Sequence, residues 1–258
     1  MLLAIDTGNT NTVFAVFDDA GGIIGEWRSS TNAERTADEI GVWLSQLFAL
    51  QNISREDITS GIIATVVPAA LFSLRRMFRR YFHCHALVVG SPEVNIGIGV
   101  LVDRPEEVGA DRLVNAVATY REYGGPKIIV DFGTATTFDV IDEDGNYLGG
   151  AIAPGVNLSL EALHRASAQL PRVAIGRPER VVGKTTVQAM RSGIFWGYIG
   201  MVEGTIERIR QELGKPLGVI STGGLAPLFG ECSPVLERSD PHLTLKGLYA
   251  IHRRNNPR

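Results

Sequence analysis

The chain has 258 residues, 45% of them hydrophobic and 21% charged, with a formal net charge of −3. That suits one large or two smaller globular domains with an ordinary core, and nothing in it favours a nucleic-acid or anionic-membrane partner. Two cysteines, Cys84 and Cys232, lie far apart and form no metal-ligand spacing, so a reducing, cytoplasmic setting is the natural reading.

The N-terminus enters an Asp-bearing strand within six residues, which excludes a signal peptide, and no apolar run approaches the roughly 20 residues that span a bilayer. Leu2 to Ile5, Thr12 to Phe17 and Ile23 to Arg28 read as an antiparallel meander. Thr36 and Glu39 have capping-box spacing and open a helix with apolar Ile40, Trp43, Leu44, Leu47 and Leu50. A strand over Gly61 to Val67 stops at Pro68, a helix covers Ala69 to Tyr81, and a strand covers His85 to Val89. Phe82-His83-Cys84-His85 superficially resembles a metal cluster, but alternating strand positions cannot all face one ion. After a connection over Gly97 to Pro105, a helix begins at Gly109-Ala110-Asp111-Arg112 and runs to about Tyr120.

A second meander follows over Lys127 to Asp131, Thr136 to Asp142 and Tyr147 to Ile152, and Ala153-Pro154-Gly155 is expected to break the chain. Then come a helix around Leu158 to Ala168, a loop over Leu170 to Gly183, a long helix from Thr186 to Leu213, a strand over Gly218 to Ser221 and a helix over Leu243 to Arg253. The mixed order argues for α/β layers with partly antiparallel sheets, not a doubly wound dinucleotide fold. Domains are expected at 1–108 and 109–258.

The two meanders look like copies. Asp6-Thr7-Gly8-Asn9-Thr10-Asn11-Thr12 and Asp131-Phe132-Gly133-Thr134-Ala135-Thr136-Thr137 align at an offset of 125 (131 − 6), which also pairs Val16 with Ile141 and Gly25 with Gly150. An Asp ending a strand, followed by Gly and polar residues, makes a turn whose N–H groups can face phosphate and whose carboxylate can hold Mg²⁺. It equally fits a plain hairpin turn held by Asx and Thr hydrogen bonds. Two such turns would form a clamp, with N–H donors at Gly8 and Gly133.

Ser221-Thr222-Gly223-Gly224 reads either as an adenosine wall or as a strand-to-helix turn that needs small residues. Asp111, opening a helix, could accept the proton of an attacking alcohol, and Arg112 could hold an anion; a surface ion pair is the plainer alternative. Gly183-Lys184-Thr185-Thr186 carries only the end of a Walker loop and is not one.

Taken in order, Asp6 to Thr10, Pro105 to Arg112, Asp131 to Thr137, Gly149 to Gly155, Gly183 to Thr186 and Ser221 to Gly224 resemble the type III pantothenate kinases, of the acetate kinase, hexokinase, Hsp70 and actin superfamily. The resemblance implies two RNase H-like domains with an interdomain cleft. It implies transfer of the ATP γ-phosphate to pantothenate, the first step of coenzyme A synthesis. The match places ATP on Asp6, Thr7, Gly8, Asn9, Thr10, Asn11, Thr12 and Val13, with Thr134 also touching it and Asp6 helping to hold Mg²⁺. It places pantothenate on Gly109, Ala110, Asp111 and Arg112, with Thr186, and makes Asp111 the proton acceptor. Asp131 would coordinate K⁺ or NH₄⁺, and a homodimer is implied, with the pantothenate site near its interface. One departure is Val102, also a pantothenate-side position, where the family often has tyrosine. Rival readings are another kinase or phosphohydrolase of the superfamily, and a nucleotide-binding regulator without activity.

Overall fold

The computed structural model of the chain describes residues 1–166 and 170–257. By its internal packing the chain divides into two compact units: residues 1–122 with the C-terminal segment from Leu243, and Tyr123–His242. This division differs from a cut at 108/109. The helix opened by Asp111 stays with the first unit, and the last helix returns to it.

In the first unit, β1 (Leu2–Thr7), β2 (Asn11–Phe17) and β3 (Ile23–Ser30) form the meander, and β4 (Ser60–Thr65) and β5 (Ala86–Val88) add in parallel. The sheet order is β3-β2-β1-β4-β5. Strand alternation sends Leu3, Ile5, Phe14 and Val16 to one face, where they pack with α1 (Ala37–Leu50) and α2 (Pro68–Tyr81). Leu2, Ala4, Ala15 and Phe17 go to the other face, against α3 (Ala110–Tyr123) and α7 (Leu243–Asn255). The expected capping box forms: Thr36 accepts from the Glu39 N–H at 3.3 Å and Glu39 accepts from the Thr36 N–H at 2.7 Å. α3 and α7 meet closely, since a Cβ on Gly247 would lie 2.2 Å from the Val114 carbonyl oxygen, and Thr244 donates to Asn115 at 2.8 Å.

The second unit repeats the topology. β6 (Lys127–Phe132), β7 (Ala135–Ile141) and β8 (Tyr147–Pro154) form the meander, β9 (Gly218–Thr222) and β10 (Arg238–Ser239) add in parallel, and the order is β10-β9-β6-β7-β8. Ile128, Val130, Phe132, Phe138 and Val140 pack with Phe195, Ile199 and Val202 of α5 (Thr186–Leu213). α4 (Val156–Ala166) and the short α6 (Ala226–Gly230) complete it. The expected end of α4 at Ala168 lies outside the described residues.

The chain does break at Ala153-Pro154-Gly155: β8 ends at Pro154, two residues beyond Ile152, and α4 begins at Val156. Pro154 is the last strand residue, paired with Ala135, a position that a sheet-edge strand tolerates for proline. The two-residue β10 had no recognisable pattern. The offset of 125 also needs correction. Asp6 pairs with Val13, but Asp131 pairs with Thr137, so the second turn is one residue shorter. From the second strand onward the true offset is 124 (137 − 13). Thr12 then matches Thr136, Val16 matches Val140 and Gly25 matches Gly149. The register irregularity confirms it, falling between Val16 and Phe17 in one copy and between Val140 and Ile141 in the other. So do the next turns: Asp18 accepts from the Ala20 and Gly22 N–H groups at 2.9 and 2.8 Å, and Asp142 from those of Asp144 and Asn146 at 3.0 and 2.8 Å.

Candidate active site

In the first unit Asp6 is the penultimate residue of β1 and is half-buried, while Asn9, Thr10 and Asn11 are exposed in the turn. The Gly8 N–H donates to the Asn11 carbonyl at 3.0 Å. It closes the turn and is not a spare phosphate donor. Thr7 and Thr12 pair across the strands and are buried, on the sheet face opposite Asp6 and Val13. Thr12 and Thr31 hydroxyls lie 3.0 Å apart, and the Thr31 hydroxyl donates to the Gly8 carbonyl at 2.7 Å. The Thr31 N–H donates to the Thr10 carbonyl at 2.9 Å. Thr31 thus braces the turn from beneath, a role with no sequence signal.

Asp6 and Val13 point to the face that α3 covers. The N-terminus of α3 sits at the same end of the sheet. The Val66 N–H donates to the Thr7 carbonyl at 3.1 Å, and a Cβ on Gly109 would lie 3.5 Å from Val66 Cγ1 and 2.6 Å from Asp111 Oδ1. A side chain at position 109 would have to displace the Asp111 carboxylate, while Val66 lies at ordinary contact distance. Asp111 Oδ1 accepts the Arg112 N–H at 2.8 Å, which fixes the carboxylate at the helix N-terminus, where negative charge is favoured. Ala110 is buried, and Asp111 and Arg112 are half-exposed. Val102 is half-buried in the loop before the single turn Pro105–Glu107.

In the second unit the Asp131 turn is assembled with two other stretches. The Gly133 N–H donates to the Ala135 carbonyl at 3.0 Å, again closing the turn, and Thr134 is exposed. The Gly155 N–H donates to the Thr134 carbonyl at 3.1 Å, and a Cβ on Gly155 would fall 2.2 Å from that oxygen. Gly223 has φ +89°, and a Cβ there would meet Asp131 Oδ1 at 2.6 Å and the Phe132 carbonyl oxygen at 2.7 Å. Only glycine fits both the conformation and the space. Thr136 is fully buried and hydrogen-bonded to Tyr198 of α5, whose phenol is pushed up to about 12 by burial. Thr186 opens α5 and is exposed; it belongs to the second unit, whereas Gly109 to Arg112 belong to the first. Its helix start is built by Thr185, which accepts the Gln188 N–H at 3.2 Å, and by Gln188 Oε1, which accepts the Lys184 N–H at 2.9 Å.

The two acids have different neighbours. Asp6 lies between Val13 on β2 and Ala64 on β4. Asp131 lies between Thr137 on β7 and Thr222 on β9. A single carboxylate in apolar flanks fits Mg²⁺, which keeps most of its water and takes substrate phosphate oxygens. A carboxylate between two hydroxyls offers an all-oxygen set suited to a larger cation that sheds its water. Among the described residues no group of three or more His, Cys, Asp or Glu could hold a metal ion by itself. No helix among them is long and apolar enough to cross a membrane.

Comparison with known proteins agrees with this architecture. The family model for type III pantothenate kinase matches residues 2–208. A protein from Rhodospirillum rubrum named type III pantothenate kinase is 65% identical over 100% of both chains. One of the same name from Paramagnetospirillum magneticum is 62% identical, over 99% of this chain and 98% of its own. Among solved structures, a provisionally named 2-dehydro-3-deoxygalactonokinase from Sinorhizobium meliloti superposes with a TM-score of 0.63 at 13% identity over 100% of both chains. At that identity the likeness concerns the fold alone: two similar mixed-sheet domains of the actin and hexokinase type. With a family model over most of its length and full-length relatives of this identity, the chain belongs to the type III pantothenate kinase family.

Proposed function

We propose that this chain transfers the γ-phosphoryl group of ATP to the hydroxyl of pantothenate, forming 4'-phosphopantothenate in the first step of coenzyme A synthesis. Family membership supports the reaction. The observation that carries the assignment of roles is the placing of the Asp111 carboxylate at the N-terminus of α3, on the Asp6 face and at the Asp6 end of the first sheet.

Asp111 accepts the hydroxyl proton of pantothenate as the phosphoryl group moves. Arg112 holds the substrate carboxylate, and Val102, Gly109, Ala110 and Thr186 complete the pantothenate contacts. The exposed residues of the Asp6 turn, from Asn9 to Asn11, hold phosphate oxygens with Thr134, while Thr7, Thr12 and Val13 hold the turn's shape. Asp6 is the carboxylate that would hold Mg²⁺, which supplies neutralisation of phosphate charge when bound. Asp131 is the carboxylate that would hold K⁺ or NH₄⁺. Catalysis then rests on positioning and electrostatics, as is general for phosphoryl transfer. A cytoplasmic homodimer is the assembly we propose for it.

The test is a coupled kinase assay in which pantothenate, ATP, Mg²⁺ and K⁺ are omitted in turn, run on wild type and Asp111→Asn. Losing a general base costs about 10²- to 10⁴-fold in rate. The variant should show that loss in kcat while still binding ATP. Near-normal turnover would remove Asp111 from the role.

A further inference from the structure

The corrected register exposes a polar network that exists in only one copy of the repeat. On the face of the first sheet that carries Asp6, the matching residues are apolar: Val13, Ala15 and Ile23. At the matching positions the second sheet has Thr137, Asp139 and Tyr147. The three are bonded to one another. The Thr137 hydroxyl donates to Asp139 Oδ2 at 2.9 Å, and the Tyr147 hydroxyl donates to Asp139 Oδ1 at 2.8 Å. Asp139 is fully buried and Tyr147 is 1% exposed. A carboxylate buried in the middle of a strand is costly unless it is hydrogen-bonded. Two other substitutions supply those bonds, so the three changes work as one unit.

Thr137 is the cross-strand partner of Asp131, so both side chains stand on the same face. On the other side of Asp131, in register, stands the buried Thr222. A threonine hydroxyl has one proton and two lone pairs. Because the Asp139 carboxylate takes the proton, the lone pairs of Thr137 are left for a cation beside Asp131. If the hydroxyl proton pointed the other way, it would repel that cation.

Resting on the reading of Asp131 as the monovalent-cation carboxylate, we propose that Thr137 is a second oxygen ligand of that cation, and that Asp139, anchored by Tyr147, is the positioning residue that keeps its hydroxyl proton turned away. This is the arrangement expected of an outer partner that orients a ligand. Losing such a partner typically weakens metal binding about 10- to 100-fold.

The experiment uses the whole protein without substrates. The rise in Tm with added K⁺ at constant ionic strength, and binding of Tl⁺ as a K⁺ analogue by titration calorimetry, are measured for wild type and four variants. Asp131→Asn should abolish both responses. Thr137→Val removes the hydroxyl at near-constant shape and should raise the half-saturating K⁺ about 10- to 100-fold. Asp139→Asn should do the same, because the buried Tyr147 hydroxyl keeps donating to the amide oxygen, so the amide N–H faces Thr137 and turns its proton toward the cation. Thr137→Ser should stay near wild type. If Asp139→Asn does not fold, the Thr137 pair carries the test. Wild-type affinity in both Thr137→Val and Asp139→Asn, with the response lost in Asp131→Asn, would overturn the inference and leave the reading of Asp131 standing. No K⁺ or Tl⁺ response in wild type would bring down that reading and the inference with it.

Discussion

The two strand-turn-strand copies have one hydrogen-bond plan and different chemistry. In each, an acid ends the first strand and a glycine N–H closes the turn. The first turn is a residue longer and exposes Asn9, Thr10 and Asn11. It is braced by a neighbouring threonine, Thr31, and its acid has apolar flanks. The second turn is tighter and is pinned by Gly155 and Gly223. It is braced by Tyr198 from a helix, and its acid stands between two hydroxyls. A repeat can therefore keep its strand pairing while the residues flanking its carboxylate change from apolar to hydroxyl-bearing.

Replacing each acid by its amide would break the comparison most sharply. Asp6→Asn should lower kcat/KM by about 10²-fold or more, since a metal clamp on phosphate is worth several kcal/mol, and the loss should be relieved in part by raised Mg²⁺. Asp131→Asn should leave the Mg²⁺ dependence unchanged and remove the difference in rate between K⁺ and Na⁺ buffers. Steady-state kinetics over both cation series checks this; the same cation profile in both variants would show that the two acids share one role.

Thr31→Val tests the brace. It removes a hydroxyl bonded to Gly8 and Thr12, so a stability loss of about 1–3 kcal/mol is expected, with a raised KM for ATP and little change in K⁺ response. Denaturant melts and ATP titrations decide it. An altered K⁺ response would mean that the turns do not act separately.

The smallest expected effect concerns acid stability, and it separates the units. His252 on α7, in the first unit, is 9% exposed, and neither ring nitrogen is hydrogen-bonded to any of the described residues. Burial, and then Arg253 and the N-terminal amine, hold its pKa below the usual value of 6.5. The unfolded chain then takes up the proton first, so stability falls as pH drops below about 6.5 and is unaffected above it. Melting the protein at pH 7.5 and 5.5 should show a drop that His252→Gln lacks. An equal drop in the variant would assign the acid sensitivity elsewhere.

Much of this was legible in the chain. The Thr36 and Glu39 spacing gave the start of α1, and β-branched alternation marked the strands. The long helix from Thr186 to Leu213 ends as expected, at a left-handed Gly214. Asp6 and Asp131 stood out because the Asp-x-Gly turn recurs, and Asp111 because it opens a helix two residues after a glycine. The break at Ala153-Pro154-Gly155 was legible too, although the strand keeps two residues beyond Ile152 because an edge strand tolerates a terminal proline. The repeat was visible but slipped by one, since the alignment of two turns says nothing about which has lost a residue; only strand pairing does. Thr31, Thr137, Asp139 and Tyr147 gave little signal, because their partners are two to 23 positions away and the meaning of each lies in the cross-strand register.

By itself the sequence determined the local periods, the caps, the doubled Asp-turn motif and, through the set of motifs together, the family. Those features depend on neighbours along the chain. Tertiary structure alone decided that α3 and α7 both belong to the first unit, that Gly109 lies against the Asp111 carboxylate, and that Asp131 is flanked by Thr137 and Thr222. Such facts depend on pairing between distant strands, where a shift of one residue moves every side chain to the other face.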